Sequence, residues 1–405
     1  MNGPPLSADP AFNTWLSDLR QTFHMDPELS YQEYRTTGKV TSILKDLGIP
    51  FTTFPDLTGT VGLIQGASPG PTTAFRADID ALPLQEENDV PYRSRNSGVM
   101  HACGHDAHMT IMLGAAKRMM DGGLTPKLSG NIKLLFQPAE ERGAGAKAMI
   151  ERRVLEDPKV DRIFAGHVSP DLPAGHVGIF KGPGYASADR FEVRIIGKGA
   201  HGAKPEEGID PVVAGSYFVT AVQSVVGRNI KASEGGVITV GKFISGTAAN
   251  IIPETAFLEG TIRALTENVR STLIRRMEEL LRGLEKSFGV SCKYFFHPGT
   301  PVLANDPDTT EILMEASRRV VGAGNIHIST PSMGSEDFSF FAMERPAAIL
   351  RLGCASSTPE KRFGLHSPRF NIDESVLQIG AEIFFQTMRI CNLEGIEGFQ
   401  GFRLS

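Results

Sequence analysis

Apolar residues recur at helical spacing from the start of the chain. Phe12, Trp15, Leu16, Leu19 and Phe23 share one face and predict an amphipathic opening helix. A second helix is expected over about residues 32–47, stopped by Gly48 with Pro50 beyond it. The period then changes. "TVGLIQG" and "TTAFRADID" are short, β-branched and bounded by Gly and Pro, as strands are. "DAHMTIMLGAAKRMM" reads as a helix and "GNIKLLFQ" as a buried strand. A helix follows from about Gly143, then "DRIFAGHV" as another buried strand. Apolar strands alternating with helices predict an α/β fold, its central sheet mostly parallel with helices on both faces.

Near Ser187 the pattern changes again. "DRFEVRIIGKG" alternates polar and apolar, as in a sheet with one wet face. A helix over about 211–228, the strands "GVITVGKFI" and "TAFLEGTIRAL", a helix over about 266–288 and the strand "VSCKYFFH" complete a β-α-β-β-α-β order. That order predicts a ferredoxin-like α+β domain over 187–297, inserted into an α/β domain formed by 1–186 and 298–405. After Pro298 the α/β texture returns, with a helix near 309–321, the strand "AAILRLG" and a last helix over 374–391.

Composition narrows the function classes. The 405 residues are 41% hydrophobic and 21% charged, which suffices for full cores. A net charge of −5 gives no electrostatic footprint for nucleic acid. No apolar run is long enough for a membrane span, and the N-terminus does not read as a signal peptide. The four scattered cysteines, Cys103, Cys292, Cys354 and Cys391, do not form a disulfide framework, so a reduced, cytoplasmic setting is expected.

Against that background "MHACGHDAHM" stands out, with three of the ten histidines and one of the four cysteines in ten residues. Cys103 and His105 lie two apart, which on an extended segment places both on one side. Further candidates follow other buried strands: Glu140 and Glu141 in "FQPAEER", His167 in "FAGHVSPDLPAG" and His366 in "GLHSPRF". Ligands collect at the carboxyl ends of parallel strands, and Cys103, His105, Glu141, His167 and His366 can converge there. Five donors of mixed S, N and O type suit two metal ions better than one. "GKGAHG" matches G-x-G-x-x-G, but Pro205 follows instead of a helix and Val222 stands where an acid is needed, so a dinucleotide site is rejected.

Taken together, "FRADIDALP", "MHACGHDAHM", "FQPAEE", "HVSPDLPAG", "GKGAHGAKP", "ANIIPE", "GTIRAL", "MGSEDFSFF" and "LHSPRFNIDE" run in the order found in the aminoacylase and carboxypeptidase superfamily of di-metal hydrolases. The sequence resembles that superfamily over nearly its whole length. Within it, the sequence is similar to the subgroup of hippurate hydrolase and indole-acetyl-amino-acid hydrolase. The resemblance implies hydrolysis of N-acyl amino acids to a carboxylic acid and a free amino acid. It implies two divalent ions per chain, zinc first, with manganese or cobalt as alternatives. Cys103 would bridge them, His105 and His167 would complete one metal, and Glu141 and His366 the other. Glu140 would be the general base, with Asp106 the second candidate. His201, Asn250 and Arg263 of the inserted domain would meet the substrate, and that domain would act as lid and dimerisation surface of a homodimer. Ser169, Ser367 and Arg142 depart from the family pattern beside proposed ligands. Three alternatives remain at this stage: a metallo-carboxypeptidase or dipeptidase, a hydrolase with Cys103 as nucleophile, and a non-catalytic metal-binding protein.

Overall fold

The computed structural model describes residues 9–395. They fall into two units, one made of residues 9–182, 304–330 and 340–395, the other of 183–303 and 331–339.

The first unit is built on an eight-stranded sheet. Its order is Phe51–Thr53, Thr60–Gln65, Ser129–Gln137, Ser68–Asp78, Arg162–Pro173, Ala347–Ala355, Val177–Ile179, Ile326–Ile328. The four strands from Ser129–Gln137 to Ala347–Ala355 are mutually parallel, and antiparallel pairs flank them. These central strands are the long apolar runs of the sequence, as expected where both faces of a sheet are covered. On one face Phe75 packs against Phe164 and against Phe384 of the helix Ser375–Arg389, which also packs on the helix His105–Asp121. On the other face Lys133, flanked by core residues Ile132 and Leu134, donates to the carbonyl oxygens of Val154 and Glu156 beyond the helix Gly145–Glu151. The opening helix Pro10–His24 is capped by Asp9 and buries Phe12, Leu16, Leu19 and Phe23, the face expected from its spacing.

One strand differs from the sequence reading. His167 does not end its strand, which runs on to Pro173 because the neighbouring strand keeps pairing with it, past an irregularity between Gly353 and Ala355. His167 is nonetheless level with an end. The strand on its other side makes its last pair at Arg76 with Ala165 and stops at Asp78.

The second unit carries a four-stranded antiparallel sheet in the order Gly236–Ser245, Thr255–Ala264, Ala188–Ile196, Ser291–Thr300. Alternate residues of Ala188–Ile196 and Thr255–Ala264 are buried. Phe191, Val193, Leu258 and Ile262 form a core with Phe218 and Val222 of helix Pro211–Asn229 and with Leu273 and Met277 of helix Glu267–Phe288. Leucine and methionine recurring at four-residue spacing on the second helix give it a narrow apolar stripe suited to one sheet face.

Candidate metal centre and active site

The site begins with a turn. Met100 is bridged to Leu82, and the chain then turns through Ala102 and Cys103 to Gly104. Gly104 has φ of +83°, and a Cβ there would run into a methyl of Val168, so this turn requires glycine. His105 is the first residue of helix His105–Asp121. Cys103 and His105 are thus not on an extended segment. The left-handed glycine between them brings both inward, and their ligand atoms lie within 4.8 Å of each other and of His167. Cys103 Sγ is 3.5 Å from His167 Nε2.

A second group shares the same sulfur. Cys103, Glu141 and His366 offer ligand atoms within 4.8 Å of one another, as do His105, Glu140 and Glu141. His366 Nε2 lies 3.4 Å and His105 Nε2 3.9 Å from Glu141 Oε1. His366 is held at φ of +62°, uncommon for a non-glycine residue, and its backbone N–H donates to Ala102 O at 2.8 Å. Loop 101–104 and the His366 turn are therefore fastened together. All five predicted ligands and Glu140 are brought into one place.

The donor set fits divalent ions. His105 Nε2 and Glu141 Oε1 are buried without a hydrogen-bond partner, a costly arrangement that a cation between them would satisfy. The ring orientations agree. His105 Nδ1 donates to Asp80 O at 2.9 Å, with Asp80 Oδ1 at 3.2 Å, and His167 Nδ1 donates to Val168 O at 2.8 Å. Each bond leaves the Nε2 lone pair free for a ligand role. Burial, then His108 beside it, pushes His167 down to about 3, so its ring is neutral at pH 7. Burial pushes the Cys103 thiol well above its ordinary value despite the neighbouring His105. A thiolate there needs a cation as partner.

Several residues that position the site were not assigned from sequence. Asp80 orients His105, accepts from Glu141 N at 3.1 Å and is held by Ser30 Oγ at 2.7 Å. His108 is structural. Its Nδ1 is 2.6 Å from Asp78 Oδ1 and its Nε2 accepts from Val168 N. "DID" ahead of the loop carried the signal for both acids, since charge at the end of an apolar strand needs a partner. Asp106 is fully buried and taken up by Arg20 Nε at 2.9 Å and His24 Nδ1 at 2.7 Å. Its Oδ1 also accepts from Ala107 N at 3.0 Å, an engagement that favours a structural counter-ion over the second candidate base. Of the departures, Ser169 accepts from Arg351 at 2.6 Å, Ser367 Oγ accepts from Arg369 N, and Arg142 is exposed.

In the second unit His201 and Asn250 are neighbours. Ala200–His201 pairs with Ile251–Ile252, and Gly202 N donates to Asn250 O at 2.9 Å. His201 Nδ1 accepts from Ala203 N at 3.0 Å, so in the neutral ring Nε2 carries the proton and this exposed edge is a donor. Arg263 lies on the four-stranded sheet, where its guanidinium donates to Met333 O at 3.0 Å.

The sequence over residues 74–390 matches peptidase family M20/M25/M40. The chain is 37% identical to N-acetylcysteine deacetylase of Bacillus subtilis over 96% of its own length and 100% of the relative's. It is 38% identical to thermostable carboxypeptidase 2 of Saccharolobus solfataricus over 91% of this chain and 93% of that one. Its fold superposes with a TM-score of 0.84, at 34% identity, on a Bacillus subtilis crystal structure described as a dinuclear metal-binding peptidase of the M20 family, covering 95% of this chain and 99% of that one. With five metal-type donors gathered on a fold shared with that dinuclear peptidase, this chain belongs to peptidase family M20/M25/M40.

Proposed function

We propose that this protein hydrolyses the amide bond of N-acyl amino acids, releasing a carboxylic acid and a free amino acid. The observation that carries the reading is the sharing of Cys103 Sγ by two three-donor groups, with Glu140 beside the second. Cys103, His105 and His167 would hold one divalent ion, and Cys103, Glu141 and His366 the other. Thiolate with imidazole favours zinc, with manganese or cobalt as alternatives, over magnesium or calcium. When bound, such a pair of ions lowers the pKa of water and polarises a carbonyl.

The residues supply the rest. Glu140 is half-buried beside Glu141 and takes the proton of the attacking water, then hands it to the leaving amine. Adjacent acids divide the work, Glu141 ligating and Glu140 moving the proton. His201 Nε2–H is the donor for the developing oxyanion. Asn250 beside it contacts the substrate amide, and Arg263 pairs with the free carboxylate of the amino acid, a geometry that suits guanidinium. A Cys103 nucleophile is disfavoured because it leaves the His167, Glu141 and His366 donors gathered round the sulfur without a role.

Domain 187–297 is proposed as lid and dimerisation surface. One of its two edge strands, Gly236–Ser245, exposes Val237, Phe243 and Ile244, and an exposed apolar edge calls for a partner. A homodimer is the simplest one. No helix among the described residues is long and apolar enough to cross a membrane. The four cysteines are free, which suits the reduced cytoplasm.

The test is turnover on a panel of N-acetyl, N-benzoyl and longer N-acyl amino acids beside dipeptides, with and without chelator. Chelator-sensitive release of free amino acid from the N-acyl set is expected. Turnover of dipeptides alone, or full activity in chelator, would overturn the reading.

A further inference from the structure

The acids Glu140 and Glu141 depend on a backbone conformation that their own segment does not favour. Ala139, just before them, sits at φ of +54°, where an L-residue carries a penalty of roughly 1–2 kcal/mol. Something outside the turn must hold it. Among the described residues the Ala139 N–H is taken by the side chain of Glu33, whose Oε1 accepts from it at 2.9 Å. Glu33 Oε2 accepts from Thr58 Oγ1 at 2.5 Å, and Glu33 is fully buried.

Glu33 is itself anchored. It stands at the start of helix Tyr34–Asp46, and its carbonyl accepts from Thr37 N and from Thr37 Oγ1 at 2.6 Å. Thr37 Oγ1 in turn accepts from Gly59 N at 2.8 Å, the residue after Thr58. A buried carboxyl is therefore braced from two sides and spends one oxygen on a single backbone N–H. That N–H belongs to the residue that aims both acids. Asp80 restrains the far side of the same turn through Glu141 N.

We infer that Glu33 is a positioning residue for the reaction: it locks Ala139 in the left-handed conformation that directs Glu140 to the water and Glu141 to its ion. The inference rests on the proposed roles of Glu140 and Glu141. What matters is the reach of the acceptor, so carboxyl group and reach separate by substitution. Glu33→Gln keeps the reach: its Oε1 accepts from Ala139 N and its Nε2 donates to Thr58 Oγ1. Glu33→Asp keeps the carboxyl group and withdraws the acceptor by one methylene, roughly 1.5 Å from bond geometry.

The experiment measures kcat, KM, bound metal and melting temperature for Glu33→Gln, Glu33→Asp, Glu33→Ala and Glu140→Gln, with zinc present and the best N-acyl substrate of the panel. Glu33→Gln should stay within threefold of wild type in kcat. Glu33→Asp should lose at least tenfold in kcat with KM within threefold, while still folded at the assay temperature; should Glu33→Ala fail to fold, the Gln and Asp pair decides. An Asp variant as active as wild type, or a Gln variant as impaired as the Asp variant, would overturn the positioning role and leave Glu140 as base. Near-normal turnover by Glu140→Gln would overturn both the base assignment and the inference built on it.

Discussion

Replacing Asp106 by Asn removes one charge from a fully enclosed ion pair of the first unit. Asp106, Arg20 and His24 are all fully buried. Asp106 Oδ2 takes both Arg20 Nε at 2.9 Å and His24 Nδ1 at 2.7 Å, while Oδ1 takes Ala107 N at 3.0 Å. Asn has one acceptor for these three donors. With its oxygen towards Arg20 and His24, its NH2 meets the Ala107 N–H; flipped, it meets the guanidinium. Burial opposes the charge on Asp106, yet Arg20 and then His24 hold its carboxyl far below the usual range. What is lost is therefore the compensation of a buried cation, which costs about 3–5 kcal/mol when one partner of such a pair is removed. At about 1.2 °C per kcal/mol for a chain of 405 residues, melting should fall by roughly 4–6 °C. Glu374→Gln is the control: this acid contacts Arg20 at 3.3 Å but is partly exposed, and screened pairs contribute about 1 kcal/mol or less. Differential scanning calorimetry of both variants, with metal present, reads the difference. Equal, small shifts for the two would refute the view that Asp106 is a structural counter-ion.

Glu140→Gln should lower kcat by ~10²–10⁴, the range of a general base, with bound metal unchanged on elemental analysis. Arg263→Ala should hurt free-acid substrates far more than their carboxamides, because only the former offer guanidinium a carboxylate; equal losses in KM would remove Arg263 from substrate recognition. Burial raises Glu33 from 4.5 to about 7, so its folded state favours the proton and the stability it confers falls as pH rises between those values. Chemical denaturation of the chelator-treated protein should show Glu33→Gln gaining on wild type across that window, and a gap flat in pH would contradict it.

The central sheet was legible because its strands are unbroken apolar runs separated by helical periods. The short strands Phe51–Thr53, Val177–Ile179 and Ile326–Ile328 were not, since three residues carry no period. The candidate ligands that the structure brings together were legible as residue types in or just after loops and apolar strands. Their geometry was partly misread: the Cys103–His105 relation rests on left-handed Gly104, and neither this nor the left-handed Ala139 and His366 has a hydrophobic signature. The positioning residues Glu33, Asp80 and Arg20 were silent for another reason. They act through partners 25 to 106 residues away, a separation that patterning within one segment does not reach.

The central claim is that two ions, the Cys103 thiolate and the Glu140 carboxylate together carry the hydrolysis. It is tested most directly by stripping the purified protein with chelator and titrating zinc or manganese back while following hydrolysis of an N-acyl amino acid, with Cys103→Ala alongside. Activity should rise to a plateau at two equivalents per chain, and Cys103→Ala should lose both retained metal and turnover. Full activity in the stripped protein, a plateau at one equivalent, or a Cys103→Ala variant that keeps both ions and its rate would contradict the account.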